Sequence, residues 1–203
     1  MGLFSLKNKA NETPKLLCNS NDAGSYKCLF LASYRKIPVY VEWEESSALK
    51  DEMSECLHLP GLHRFPCLEE GDFTVCGTNA VLVYLNIKGQ APAIHPRKAR
   101  VLAMQQYWIQ VLTTKFEPLL VDISNRLKDA AAVLQVFDNN LADKNYITGV
   151  FTLADIHWAA IFRMLEDQGQ NSIFENYKNI NIWLAKVKAE IPGYETCAKE
   201  AAA

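Results

Sequence analysis

Apolar positions recur along this chain at two spacings, and the change comes near residue 90. Ahead of it, short apolar runs alternate with helical periodicity; beyond it, every periodic segment follows the helical repeat. Residues 15–18 form a brief apolar run suited to a buried strand, and the polar stretch 19–24 follows as a turn. Residues 25–36 read as helix, with Cys28, Leu29, Leu31 and Ala32 as the inward stripe and Ile37-Pro38 as the stop. Residues 39–43, β-branched and aromatic, read as a second strand, and 44–57 is polar and leans to helix. Two short runs, 64–68 and 72–76, are joined by Glu69-Glu70-Gly71, a hairpin signal. Residues 77–88 are again helical, with Ala80, Val81, Tyr84 and Leu85 on one face.

Residues 89–96 hold two prolines and a glycine and mark a linker. Past it the pattern predicts a long helix over 96–127 that Pro118 kinks or splits, and helices over 129–141, 152–167 and 172–190. Pro192-Gly193 punctuates the last of these, and 194–203 reads as a short final helix. Helix 152–167 has a fully written start. Thr152 is the N-cap, Asp155 stands three residues on to close a capping box, and Phe151 and Ile156 are placed for the hydrophobic staple. Its apolar residues lie nearly all round, which predicts an interior helix. The order β-α-β-α-β-β-α of the first half, with its first two strands parallel through a right-handed crossover, is thioredoxin-like. The fold class is therefore α+β: a flexible arm 1–14, a thioredoxin-like domain 15–88, a linker 89–96 and an all-helical domain 97–203. Pro66 opens the third strand and cannot donate to a ladder; a cis Phe65–Pro66 bond accounts for it and brings the backbone close to a ligand.

Composition removes several function classes. The 203 residues carry 21 basic and 23 acidic side chains, a formal charge of −2, so there is no basic footprint for direct nucleic-acid binding. No apolar run approaches a membrane span, and the polar arm 1–14 has no secretory h-region, so the expectation is a cytoplasmic protein with no membrane role. The six cysteines, Cys18, Cys28, Cys56, Cys67, Cys76 and Cys197, form no C-x-x-C pair and read as buried, reduced thiols. Cys67 beside Pro66 reads first as one of these packed thiols, with a reactive cleft thiol as the alternative. The four histidines have no ligand spacing; no metal site is expected, and His157 reads as a satisfied core residue.

Four patches resemble the cytosolic glutathione transferase family. Phe65-Pro66-Cys67-Leu68 is similar to the family's V-P-x-L with its cis-proline; Glu70-Gly71-Asp72-Phe73, through Thr78-Asn79-Ala80, to Tyr84-Leu85 is similar to the stretch from hairpin to third helix. Thr152-Leu153-Ala154-Asp155 resembles its capping box, and Trp183 with Ile191-Pro192-Gly193-Tyr194 its tail. The resemblance spans about Lys15 to Ala198. It implies glutathione as ligand or co-substrate, with no other cofactor. The backbone at Phe65 before Pro66 would pair with the tripeptide, and Thr78 would hold its γ-glutamyl end at a helix N-terminus. A hydroxyl in the first strand–helix turn, Ser20 or Ser25, would donate to the sulfur and favour its thiolate. Aligned on residues 25–38, the family's catalytic alcohol falls at about Asp22, and its acid–serine pair falls on Gly77-Thr78. Two polar anchors are thus altered. A hydrogen bond to a charged group is worth about 1.5–3 kcal/mol, so losing both weakens binding by orders of magnitude. Ser25 and Thr78 also read as helix caps, and Tyr107, Trp108 and Phe116 read as core or as an acceptor-pocket lining.

Two functions follow. The first is a non-catalytic protein–protein interaction module of the translation-apparatus kind, working with protein partners or as a homodimer through helix faces. Residues 25–34 look like the first helix of the elongation factor 1 gamma subunit, and Tyr146-Ile147-Thr148-Gly149 looks like the aminoacyl-tRNA synthetase-complex version, a set that includes methionyl-tRNA synthetase. The alternative is a glutathione transferase that conjugates or reduces electrophiles, with its electrophile pocket in the helical half.

Overall fold

The computed structural model describes residues 13–44, 65–90 and 94–196. Strands β1 (Lys15–Cys18), β2 (Tyr40–Trp43), β3 (Cys67–Glu70) and β4 (Phe73–Cys76) form one sheet in the order β2-β1-β3-β4. β1 and β2 are parallel, β1 and β3 antiparallel, β3 and β4 a hairpin. Helix α1 (Ala23–Tyr34) connects β1 to β2, and α2 (Thr78–Lys88) follows the hairpin. Alternation along the strands sorts the sheet's two faces. Leu16, Leu68 and Val75 share the face that joins the helical core; Leu17, Cys67 and Cys76 share the other. The Phe65–Pro66 bond is cis, as the strand-opening proline implies.

The second half is all helical: α3 (Ala99–Val111), α4 (Glu117–Leu120), α5 (Leu127–Leu141), α6 (Leu153–Asp167) and α7 (Lys178–Glu190). Its core is an aromatic stack. Trp158 lies against Phe137 with ring centroids 4.0 Å apart, and Trp108, Phe116, Phe162 and Trp183 pack around that pair. Helix α6 is buried without interruption from Ala154 to Leu165, as its apolar girth predicts. Both arms of the Thr152 capping box are made. The Asp155 carboxylate accepts from the Thr152 N–H (2.8 Å), the Thr152 hydroxyl (3.1 Å), the Ile147 N–H (2.9 Å) and the Trp183 indole N–H (2.9 Å). Burial pushes this carboxyl above the ordinary aspartate range, and the four donors pull against that shift.

Several boundaries differ from those the pattern predicts. Helix α1 begins at Ala23, two residues before 25, because Asp22 and not Ser25 caps it. It is buried from Gly24 to Ala32 on every side, not on one stripe, because it is covered by both the sheet and α6. The hairpin turns at Gly71-Asp72, since Gly71 takes φ of 62°, and β3 extends through Glu70. The 96–127 stretch breaks into α3, a π-helical turn over Leu112–Phe116 that precedes Pro118, α4, and a 3-10 turn over Ile123–Asn125. Residues 171–173 make a 3-10 turn, and the helix expected from 172 starts at Lys178. Residues 192–196 are turns, with Tyr194 buried. Cys67 and Cys76 are joined in a disulfide across the hairpin, which corrects the reading of all cysteines as reduced; Cys18 and Cys28 are buried in the core. The arm 1–12, the 45–57 helix, Cys56, His58, His63, linker residues 91–93 and the tail from 197 lie outside the described residues. Among the described residues, no helix is long and apolar enough to cross a membrane.

His157 is a core residue, but it is not satisfied: its Nδ1 has no hydrogen-bond partner among the described residues. Burial, reinforced by the Lys27 charge, pulls its pKa down to about 3.

Two stability predictions follow from these buried groups. Asp155→Ala strands four buried donors, each worth about 1–3 kcal/mol when unpaired, so urea unfolding should show a loss of about 4 kcal/mol or more. Thr152→Ala leaves the carboxylate with its other donors and should lose about 1 kcal/mol. For His157 the folded pKa is depressed, so the unfolded chain takes up the proton first. Stability should hold above about pH 6.5 and fall by about 2 kcal/mol between there and pH 5, and His157→Phe should flatten that slope.

Candidate functional site

The turn between β1 and α1 is built on two side chains. Asn19 accepts from the Asn21 N–H (2.8 Å) and donates to the Glu44 carbonyl (2.8 Å). Asp22 is the N-cap of α1, and its Oδ2 accepts from both the Ser25 N–H and the Ser25 hydroxyl, each at 2.7 Å. The Ser25 oxygen in turn accepts from the Asn19 N–H at 3.0 Å. A hydroxyl has one proton to give. Ser25, with no exposed surface, gives its proton to Asp22. Ser20 is exposed in the same turn and makes no hydrogen bond with the other described residues. Asp22, which stands where the family's alcohol aligns, is therefore a helix cap facing the positive end of α1.

Three segments converge on Gly24. A Cβ at this position would lie 2.2 Å from Thr78 Oγ1, 3.0 Å from Pro66 Cδ and 3.1 Å from Asp22 Oδ2. Only a residue without a side chain allows the first turn of α1, the cis-proline and the first residue of α2 to meet. The Gly77 N–H donates to the Pro66 carbonyl at 2.8 Å, which ties the start of α2 to the cis-proline. Gly77 is the N-cap of α2 with φ of 97°, a conformation that L side chains rarely adopt, so Thr78 is the first helical residue and not the cap. Phe65 and Thr78 are half-buried and Pro66 is buried. The 19–24 turn, Phe65-Pro66 and the start of α2 are thus brought together at Gly24, and the N–H groups that open α2 are a place suited to a carboxylate.

Helix α1 is held from the far side. Lys27 makes a largely buried ion pair with Glu117 at 2.5 Å, and the Tyr26 hydroxyl donates to Asp167 at 3.0 Å. Trp108 and Phe116 are core residues; Tyr107 is exposed and lines a groove of about 480 Å³ with Val111, Val133 and Val136. Cys67 is buried and paired with Cys76. Thr152 and Asp155 are structural and belong to the helical core. The described residues hold no group of three His, Cys, Asp or Glu side chains that suits a metal. Sequence reasoning missed Gly24 and Asn19. A glycine one residue inside a helix, after an asparagine-rich turn, was the available signal.

The sheet order, the cis-proline and the capped α6 decide the architecture. The chain has the glutathione S-transferase fold. Residues 104–190 match the family described as glutathione S-transferase, C-terminal domain. A glutathione S-transferase of Hyoscyamus muticus is 26% identical over 149 residues, covering 61% of this chain and 69% of that protein. Glutathione S-transferase 1-6 from Anopheles dirus species B superposes with a TM-score of 0.77 at 17% identity, over 93% of this chain and 95% of that one. The delta-class enzyme of Nilaparvata lugens gives 0.73 at 21%, over 92% and 93%. The family match lies within the helical half, and the superpositions, at 17% and 21% identity, show the fold.

The contact at Gly24 can be tested by stability alone. Gly24→Ala should cost about 1–3 kcal/mol through overpacking. Thr78→Ala placed with it removes the 2.2 Å clash, so the double variant should recover at least about 0.5 kcal/mol in a urea-denaturation cycle.

Proposed function

We propose that the chain binds glutathione where the 19–24 turn, Phe65-Pro66 and the start of α2 meet, and joins the glutathione sulfur to electrophiles, whose leaving group departs. The observation that carries this reading is the meeting of three elements at Gly24: the Asp22-capped start of α1, cis-Pro66, and Thr78 at the start of α2. In it the backbone at Phe65 pairs with the tripeptide, and Thr78 with the α2 N–H groups takes the γ-glutamyl carboxylate. Ser20 supplies the hydrogen bond that favours the thiolate, because the Ser25 proton is spent on Asp22. Asp22 is turned toward Ser25 by its two hydrogen bonds, which moderates its repulsion of an anionic sulfur. The glutathione S-transferase named in Hyoscyamus muticus weighs on the same side.

A second reading, a non-catalytic interaction module, is favoured by the same committed Ser25 hydroxyl. Its docking faces would be α2, where Val83 and Ile87 are exposed, and α3 with α5, where Tyr107 and Val136 are exposed. A protein partner or a second copy would then cover them.

Calorimetry with glutathione and a conjugation assay with an activated aryl halide separate the two. Binding is expected at or below millimolar glutathione. Ser20→Ala should lower kcat about 10²-fold, in the range for losing one donor to a developing anion. Ser25→Ala should act mainly on stability, by about 1–3 kcal/mol, because it leaves the buried Asn19 N–H without its acceptor. The transferase reading is falsified if millimolar glutathione gives neither heat nor turnover.

A further inference from the structure

The hairpin carries a feature that transfer chemistry does not use. Cys67 and Cys76 are directly opposed partners in the β3–β4 register and are bonded to one another. They lie on the sheet face away from the helical core, with Leu17. Each stands one residue from the candidate site: Cys67 follows cis-Pro66, and Cys76 precedes Gly77. The two residues differ in exposure, since Cys67 is 1% exposed while Cys76 is half-buried. By contrast, Cys18 and Cys28 are fully buried; burial pushes the Cys28 thiol well up, which keeps it inert.

The geometry points to a thiol–disulfide exchange site at Cys67–Cys76 that takes low-molecular-weight thiols and disulfides of the glutathione class. Exchange needs a disulfide sulfur that solvent thiolate can reach, and a fold that survives cleavage. Cys76, half-buried where Cys67 is buried, is the side from which a thiolate would approach. The second condition is met by the ladder itself: Leu68 with Val75 and Glu70 with Phe73 hold the strands together, and Gly71 closes the turn. The bond closes a loop only nine residues long, so it adds little constraint to a hairpin already formed. A glutathione thiolate attacks the Cys76 sulfur, forms a mixed disulfide there, and releases Cys67 as a thiolate. A second glutathione thiolate attacks the glutathione sulfur of that mixed disulfide and releases Cys76. Two glutathiones are oxidised to glutathione disulfide, the protein disulfide gains two electrons, and the two thiol protons pass to Cys67 and Cys76. The reverse sequence re-forms the bond. With the bond made, the residues after Pro66 and before Gly77 are stapled; with it broken, the Gly77 N–H to Pro66 carbonyl contact is the nearest tie between those segments. The effect on ligand affinity rests on the glutathione-site reading; the exchange does not.

The test is differential alkylation with peptide-resolved mass spectrometry, on native protein equilibrated across glutathione to glutathione-disulfide ratios. Cys67 and Cys76 should become alkylated together as the ratio rises, with Cys18 and Cys28 protected throughout. Cys67→Ser should accumulate one glutathione on Cys76, and Cys76→Ser should carry at least tenfold less on Cys67. Independent responses of the two cysteines in wild-type protein, or no adduct in Cys67→Ser, overturn the proposal. Calorimetry with S-methylglutathione, which cannot reduce the bond, reads the coupling: at least a threefold difference in affinity between the oxidised and reduced forms is expected. Equal affinities overturn the coupling. Absence of binding in both forms removes the glutathione-site reading, while the alkylation result alone decides the exchange.

Discussion

A single carboxylate organises the helical half. Asp155 has no exposed surface, and a buried charge is tolerable only when its lone pairs are filled. Its four donors come from three places: the Ile147 loop, the Thr152 helix start and the Trp183 indole on α7. Meeting them fixes where α6 begins, how the chain returns from α5, and where α7 lies. Helix α6 then serves as the axis of the molecule, with Trp158 donating to the Trp108 carbonyl of α3 and Asp167 accepting from Tyr26 of α1. Helix α1 is in this way referenced to a carboxylate more than a hundred residues away, and the candidate site is whatever the first turn of α1 can meet.

That first turn shows why an aligned position is an incomplete guide to chemistry. In sequence, an acid at 22 looks like the loss of an alcohol. In the fold it is a helix start, and aspartate is among the best N-cap residues. Capping fixes the orientation of Asp22 and uses up the proton of Ser25, the buried alcohol nearby. The helix is opened by the acid and not by a serine. Ser20, in the same turn, makes no hydrogen bond with the other described residues.

Element types were legible wherever periodicity and end signals agreed. The capping box, the interior character of α6 and the strand-opening proline all read correctly, because each is decided by neighbours within a few residues. What was illegible depends on register and on approach. A three-residue turn at 69–71 would set Cys67 opposite Phe73, whereas the observed turn at Gly71-Asp72 sets it opposite Cys76. One turn length thus separates two unrelated thiols from a bonded pair. The need for glycine at 24 was hidden likewise, since the atom that demands it, Thr78 Oγ1, comes from 54 positions further along the sequence. The π-helical turn at 112–116 left no trace in the apolar pattern, because its buried ends, Leu112 and Phe116, keep a four-residue spacing that an α-helix also shows.

The two glycines of the candidate site act through different physics, and the difference bears on what it can hold. Gly24 is required by proximity, Gly77 by backbone conformation: nothing lies within 4 Å of a Cβ at 77, yet φ of 97° would strain any side chain by about 1–3 kcal/mol. An acid at 77 has room but would hold that strain permanently, and glycine releases it. On the glutathione reading, what is lost with the acid is a countercharge for the tripeptide's ammonium group. What survives is the carboxylate side of the same γ-glutamyl end, because backbone N–H groups at the start of α2 do not depend on which residue stands before Thr78. On that reading the site is biased toward the anionic features of the tripeptide. That bias also fits the Asp22 cap, whose negative charge is already engaged by the positive end of α1 and by Ser25.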